Sequence, residues 1–431
     1  MTGPITVPDI DAIVGMTLYL TASRGIGGRT RQRAEDFMVN EVHTDDSTLE
    51  GRYQLVKVTK TDTETHHFVR DLSRRLRISQ KRVSWAGTKD KRAITTQRMS
   101  LDSIRLEAPL TLGNVIVEPI GRSDRPISLG DLEGNDFFIT IRAVEGSQDG
   151  VARAVASVID EMCNAHGAPN FFGIQRFGSI RPVNHLVGRA LVEGDVEGAV
   201  MTYIGKPFPD EPEDVKEARQ LILDTHDFKE ALQRMPVRLR YERAMLNNLA
   251  KHPNDFDGAL GVLSMNLQKL FVHSFQSYLF NKMVSSRLER GCPLTVGFDG
   301  DRVSAPDKGR VRTVVPKNIQ GVNQSLAAGL ASVQMPVPGY DTELSDGVIG
   351  QVERDVLASE GVDLDAFKID SCPRLASKGV MRNILLPADI KVSVVPDELT
   401  KDRVKVELRF FLPKGGYATT VLREIMKTRL P

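Results

Sequence analysis

The chain has 431 residues, with 57 lysines and arginines against 56 aspartates and glutamates and a formal net charge of +1. That length exceeds one ordinary core and implies two domains, and the near-neutral balance excludes a protein that is basic throughout. Cys163, Cys292 and Cys372 lie far apart with no Cys-x-x-Cys pair, which excludes a disulfide scaffold and a cysteine zinc site and fits a reducing cytoplasm.

The first residues, Met1-Thr2-Gly3-Pro4-Ile5, lack the basic and apolar regions of a secretory signal, and no apolar run approaches a membrane span. Arg24-Gly25-Ile26-Gly27-Gly28-Arg29 looks like a phosphate-cradling loop. No Lys-Ser/Thr pair closes it, so it reads as a glycine turn. Residues 31–41 mix both charge signs ahead of an alternating run, the pattern of a strand with a charged start. Residues 52–58 alternate as a half-buried strand. Over residues 68–76 the spacing predicts a helix, with Phe68, Val69, Leu72 and Leu76 on one face and Arg70, Arg74, Arg75 and Arg77 largely on the other. Ser79 suits the N-cap of a second short helix.

The most informative segment follows, Ser84-Trp85-Ala86-Gly87-Thr88-Lys89-Asp90-Lys91-Arg92-Ala93-Ile94-Thr95-Thr96-Gln97. Asp90 lies between two lysines with an arginine next, which favours its ionised form. Such a carboxylate can be a nucleophile, a base or a neutralised surface charge. It is expected in a loop closing a basic helical hairpin. Arg70, Arg74, Arg75, Arg77, Lys81, Arg82, Lys89, Lys91, Arg92 and Arg98 are opposed locally only by Asp71 and Asp90. Charge segregated in this way marks a polyanion-binding face, the plainer alternative being a solvated helix face.

Residues 115–119 and 137–144 read as strands and 150–166 as a helix. The run 169–178 is dense in aromatics and glycine, either a platform for a nucleobase or buried core. From 184 to 378 the pattern is mostly helical, notably over 211–235, 237–250 and 263–290. Short strands or loops are expected over 291–339. Residues 390–395 and 404–411 read as strands and 418–427 as a helix. The strands near the two chain ends are expected in one mixed sheet interrupted by a helix-rich insert, an α/β (α+β) architecture. The expected domains are 1–183 and 379–431 as the two parts of one domain, with 184–378 inserted. His66-His67 do not share a helical face, and no metal site or nucleophile triad is legible.

Five motifs in order carry a family resemblance. Ala86 to Gln97 match A-G-x-K-D-K-x-A-x-T-x-Q. Ala34-Glu35-Asp36-Phe37-Met38-Val39-Asn40-Glu41 is similar to P-E-D-F-x-V-x-E, with alanine for proline. Asn170 to Gly178 complete N-[FY]-F-G-x-Q-R-F-G. Ser274-Phe275-Gln276-Ser277-Tyr278-Leu279-Phe280-Asn281 resembles a Q-S-Y-x-F-N signature. Leu412-Pro413-Lys414-Gly415-Gly416-Tyr417-Ala418-Thr419 with Leu422-Arg423-Glu424 resembles L-P-x-G-x-[YF]-A-T…[LV]-R-E. Together they resemble the TruD family of tRNA pseudouridine synthases.

The resemblance implies the pseudouridine synthase fold, a mixed and largely antiparallel sheet, with a helix-rich TruD-specific insert. It implies isomerisation of uridine to pseudouridine, most often at position 13 of tRNA, by a cytoplasmic protein. Neither cofactor, metal, membrane nor protein partner is implied, and a monomer is expected. Asp90 corresponds to the catalytic aspartate and Phe172 to the aromatic that packs on the target base. Asn170 falls near the catalytic carboxylate, and Arg31 stands where some members carry lysine, keeping the charge but changing its geometry. Lys89 or Arg31 would orient the carboxylate, and Arg74, Arg75, Arg77, Lys81, Arg82, Lys91 and Arg92 would face RNA. The rival classes are a non-catalytic RNA-binding protein or RNA chaperone on the same fold, and a metal-dependent nuclease. The last needs a carboxylate cluster that the sequence does not show near Asp90.

Overall fold

The computed structural model describes residues 6–43, 48, 50–305, 311–387 and 389–429. The chain divides into two compact units, one formed by Thr21–Ala168 with Leu386–Pro431 and the other by Met1–Leu20 with Pro169–Leu385.

The first unit is built on a nine-stranded sheet. Its strands are β1 (Phe37–Val42), β2 (Tyr53–Thr61), β3 (Val83–Trp85), β4 (Ile94–Asp102), β5 (Leu110–Leu112), β6 (Val115–Ser123), β7 (Gly134–Val144), β8 (Lys391–Pro396) and β9 (Val404–Pro413). The order is β8-β9-β7-β1-β4-β2-β6-β5, with β3 also on β4. Strands from both ends of the chain share this sheet, as their alternation predicts. In β9, Val404, Val406, Leu408, Phe410 and Leu412 point into a core while Lys405, Glu407, Arg409 and Phe411 are partly or fully exposed.

All pairs are antiparallel except β1 with β4, which run parallel with Met38 opposite Ile94. Parallel neighbours start at the same edge of a sheet. The segment entering β1, which carries Arg31, and the loop entering β4, which carries Asp90, therefore emerge together. β2 is antiparallel to β4, and its last residues reach the same edge, with Lys60 opposite Thr95.

Two helices pack on separate cores. The helix α1 (Thr65–Leu76) begins three residues before its apolar face predicts, because the Glu64 carboxylate accepts from the N–H groups of His66 and His67 at 3.0 and 2.7 Å. Phe68, Val69 and Leu72 are buried with Val56, Val58, Met99 and Val117. The helix α2 (Gln148–Asn164) buries Val151, Val155, Val158 and Met162 with Phe37, Ile139 and Leu408. A third, α3 (Ala418–Met426), follows the turn after β9. The expected helical hairpin before Asp90 is not formed. Ser79 does cap a short 3-10 turn, Gln80–Arg82, but Val83 and Trp85 then pair with Leu101 and Met99 as β3. Asp90 thus lies in a strand-to-strand loop.

The second unit is mainly helical, around the 25-residue helix Met265–Glu289. Gly188 of the helix Asn184–Val192 lies against it so closely that a Cβ would sit 2.0 Å from the Phe271 carbonyl oxygen. The single helix expected over 211–235 is two, Glu213–Thr225 and Phe228–Arg234. His226 turns into the left-handed region at φ 53°, and Asp227 caps the second. Within 291–339 lie the strands Arg302–Ser304, Val311–Thr313 and Ser332–Val337, and a helix not expected there, Ile319–Ala327. With Val380–Asn383 these strands form a four-stranded antiparallel sheet. The first residues join this unit because Asn281 Nδ2 and Ser285 Oγ of the long helix donate to the carbonyls of Val14 and Gly15 at 3.0 and 2.8 Å.

Among the described residues no helix is long and apolar enough to cross a membrane, and no cluster of His, Cys, Asp and Glu is placed to hold a metal ion.

Candidate active site

Asp90 and Arg31 are brought together. A guanidinium nitrogen of Arg31 lies 3.4 Å from a carboxylate oxygen of Asp90, and the Asp90 side chain remains 39% exposed, open to a substrate. Arg31 adopts φ 59°, and its guanidinium lies 4.0 Å from the centre of the Phe37 ring. The turn that follows it is fixed by Asp36, which accepts from the Arg33 N–H at 2.9 Å and from Arg142 Nε at 2.6 Å. Arg142 in turn reaches Asp397 at 2.9 Å, and all three of these side chains are almost fully buried. The acidic pair Glu35-Asp36 is thus split, with Asp36 buried and Glu35 exposed.

Lys89 does not point at Asp90. Its ammonium is 2.7 Å from Glu41 on β1, and both side chains are buried. This buried pair ties the Asp90 loop to β1. The carbonyl oxygens of the loop are held in sequence: Ala86 by the Gly130 N–H at 2.8 Å, Gly87 by Gln97 Nε2 at 3.1 Å, and Lys89 and Asp90 by Lys60 Nζ at 3.3 and 2.7 Å. The sequence reading did not single out Lys60. Alternation along β2 marks its inward direction, because Gln54, Val56, Val58 and Lys60 share the buried face.

Of the basic residues expected to face RNA, Arg74, Arg75, Arg77, Lys81, Lys91 and Arg92 are exposed. Arg82 is half-buried and donates to the carbonyls of Asp102 and Ser103, which ties it to the sheet edge. The glycine turn needs its glycine for contact rather than for an anion, since a Cβ on Gly25 would lie 2.3 Å from the Met426 carbonyl oxygen. It lines a cleft of about 740 Å³ together with Gln32, Gly150 and Arg403.

In the helical unit, Asn170 and Phe172 stand two residues apart on a loop fastened by the long helix. Asn281 Oδ1 accepts from the Phe172 N–H at 2.8 Å, and its Nδ2 donates to the Phe172 carbonyl at 3.0 Å. Ser274 Oγ donates to the Arg176 carbonyl at 2.9 Å. The motif on this helix therefore fastens the aromatic motif. Phe171 and Phe177 are core, whereas Phe172 is half-buried. Its ring meets Phe280 edge-on at 5.5 Å and carries the Arg382 guanidinium at 4.2 Å. Arg382 also donates to Asn170 Oδ1 at 2.6 Å, while Asn170 Nδ2 donates to the Asn383 carbonyl at 2.8 Å. No sequence signal marked Arg382.

Residues 13–425 match the family model described as tRNA pseudouridine synthase D (TruD). A protein of Methanosarcina mazei described as "Probable tRNA pseudouridine synthase D" is 46% identical over 430 residues, covering 98% of each chain. One of Thermococcus sibiricus with the same description is 38% identical over 421 residues, covering 95% of this chain and 97% of its own. A crystal structure from Methanosarcina mazei, described as a "Putative tRNA pseudouridine synthase D (TruD)", superposes with a TM-score of 0.86 at 44% identity, over 98% of this chain and 99% of the other. The chain belongs to the tRNA pseudouridine synthase D family, whose members are isomerases.

Proposed function

We propose that this protein converts uridine to pseudouridine at position 13 of tRNA, with Asp90 as the catalytic carboxylate. The observation that carries the reading is the half-exposed Asp90 carboxylate 3.4 Å from Arg31, in a loop tied down on every side. Pseudouridine formation breaks the N1–C1′ bond, turns the uracil and joins C5 to C1′. The C5 proton is then lost and N1 gains one, so the reaction needs no net oxidant or reductant. A uridine must leave its stack to be reached. As a carboxylate, Asp90 either adds to C1′ or takes the C2′ proton to give a glycal-like intermediate. Arg31 keeps its charge directed. Phe172 packs on the extruded ring, and Asn170, held by Arg382 and Asn383, sets the approach to that ring. We assign the chemistry to the sheet unit that carries Asp90, and take the protein to act as a cytoplasmic monomer.

The test is incubation of unmodified tRNA with the protein in the presence of EDTA, followed by carbodiimide treatment and primer extension. A stop at position 13 is expected. Binding of tRNA without any stop would favour the rival reading, a non-catalytic RNA-binding protein.

Replacing Phe172 by alanine removes the ring on which the base packs. Stacking on an aromatic side chain contributes ~1–3 kcal/mol per base, so single-turnover efficiency should fall on the order of 10- to 100-fold. Phe172→Tyr should retain most of it. Equal rates for Phe172→Ala and the unaltered protein would exclude this ring from the base site.

Binding of tRNA should weaken steeply with salt, because phosphate contacts release counterions. Removing the exposed Arg74 and Arg75 together should lower the slope of log affinity against log salt by about 2 without altering the modified position. Filter binding over a salt series reads the slope directly. An unchanged slope would remove the outer face of α1 from the RNA interface.

A further inference from the structure

Lys60 is fully buried near the end of β2. An ammonium has three N–H donors and no acceptor. Here they meet three main-chain carbonyls, those of Thr63 at 2.8 Å, Asp90 at 2.7 Å and Lys89 at 3.3 Å. Two of the three belong to the loop that presents Asp90. The third belongs to the turn that enters α1, one residue before its N-cap Glu64. A single side chain therefore joins the sheet, the basic helix and the Asp90 loop.

Burying a lysine is costly, and here three carbonyls offset that cost by accepting all of its N–H donors. Its contacts converge on the two residues that present the Asp90 carboxylate. We propose that Lys60 is a positioning residue of the reaction, its ammonium setting the direction of the Asp90 carboxylate through the carbonyls of Lys89 and Asp90. This rests on the reading of Asp90 as the catalytic carboxylate.

Burial pushes the Lys60 pKa down to about 8, with Asp90 and Glu64 favouring its charged form and Lys89 opposing it. The folded value lies below the ordinary lysine value of 10.5. Between the two, the unfolded chain holds the extra proton, so this group by itself adds stability as pH rises through that window. Loss of the Lys60 proton thus weakens its hold on the carbonyls without unfolding the protein. Activity should descend through about pH 8 while the fold persists.

The experiment compares Lys60→Met with the unaltered protein in single-turnover conversion of unmodified tRNA, alongside tRNA affinity and thermal unfolding across the pH range. Unchanged affinity, a melting temperature lowered by the loss of a donor to three carbonyls but a fold retained at the assay temperature, and a rate reduced on the order of 100-fold are expected, the last being the cost of a carboxylate misplaced by about 1 Å. The descending limb near pH 8 should disappear in the variant. A folded Lys60→Met enzyme at the unaltered rate, or a slow one that keeps the same limb, overturns the proposal. Should the variant not fold, the unaltered protein decides. A rate that descends through about pH 8 at constant fold and affinity supports the proposal, and a level rate overturns it. An inactive Asp90→Asn beside a fully active Lys60→Met removes the role of Lys60 alone, whereas an active Asp90→Asn removes the reading beneath it.

Discussion

Asp90→Asn should leave the protein folded, keep its affinity for tRNA and lower pseudouridine formation by at least about 10³-fold, the scale on which proton transfer and covalent catalysis by a placed side chain contribute. The substitution is close to isosteric and keeps a polar side chain beside Arg31. It removes the negative charge that, in the proposed reaction, either attacks C1′ or accepts the C2′ proton. The Asp90 side chain is more than a third exposed and its contact with Arg31 is 3.4 Å. A partly solvated pair of this kind adds little to stability, so the fold should not suffer. Quantitative carbodiimide mapping in single turnover, paired with filter binding, separates the two effects. A variant that still converts uridine at a comparable rate would eliminate Asp90 as the catalytic group.

The second large effect lies behind Arg31. Arg142 stands between Asp36 and Asp397, at 2.6 and 2.9 Å, with side chains 5%, 1% and 0% exposed. Removing one partner of a buried ionic cluster leaves uncompensated charge, and typically costs about 3–5 kcal/mol. Arg142→Met should therefore lower the melting temperature by on the order of 10 °C. It should also slow the reaction, because Asp36 fixes the turn that follows Arg31. The loss carries a pH signature. Burial works against the Asp397 carboxylate, but the N–H groups of Ala143 and Leu399 and the Arg142 guanidinium outweigh it, and the group is held below its ordinary value of 3.8. Its contribution is present above that value and disappears as the pH falls through the lower, folded one. The gap in stability between the variant and the unaltered protein should be widest near neutrality and narrow in acid. Calorimetry over a pH series would show it, and a gap independent of pH would mean that packing rather than charge dominates at Arg142.

Much of the site was legible because it is written in contiguous motifs. The segment around Asp90 declared a framed carboxylate without knowledge of the fold. The alternation in β9 and the apolar face of α1 follow from periods of two and about 3.6 residues, which need no tertiary information. Other features escaped for definable reasons. Lys89 is adjacent to Asp90 in sequence, and adjacency suggested a shared role. Successive residues in extended chain point to opposite sides, however, and Lys89 is directed at Glu41. His226 breaks a helix whose apolar spacing continues past it, and a single left-handed residue leaves no mark on periodicity. Arg382 reaches Asn170 and Phe172 from more than two hundred residues away. No local pattern encodes such a contact.

The sequence by itself determined most of the elements, the two-part sheet and the identity of the framed aspartate, since these depend on local spacing and on residues that lie together in the chain. Only the tertiary structure decided which cation faces that aspartate. β1 and β4 run parallel, so Arg31 and Asp90 leave the same edge of the sheet, and the antiparallel β2 delivers Lys60 beneath them. Strand pairing joins residues far apart in sequence and is settled by burying the apolar faces of all the strands together, which is why neither neighbour of Asp90 could be chosen from the chain alone.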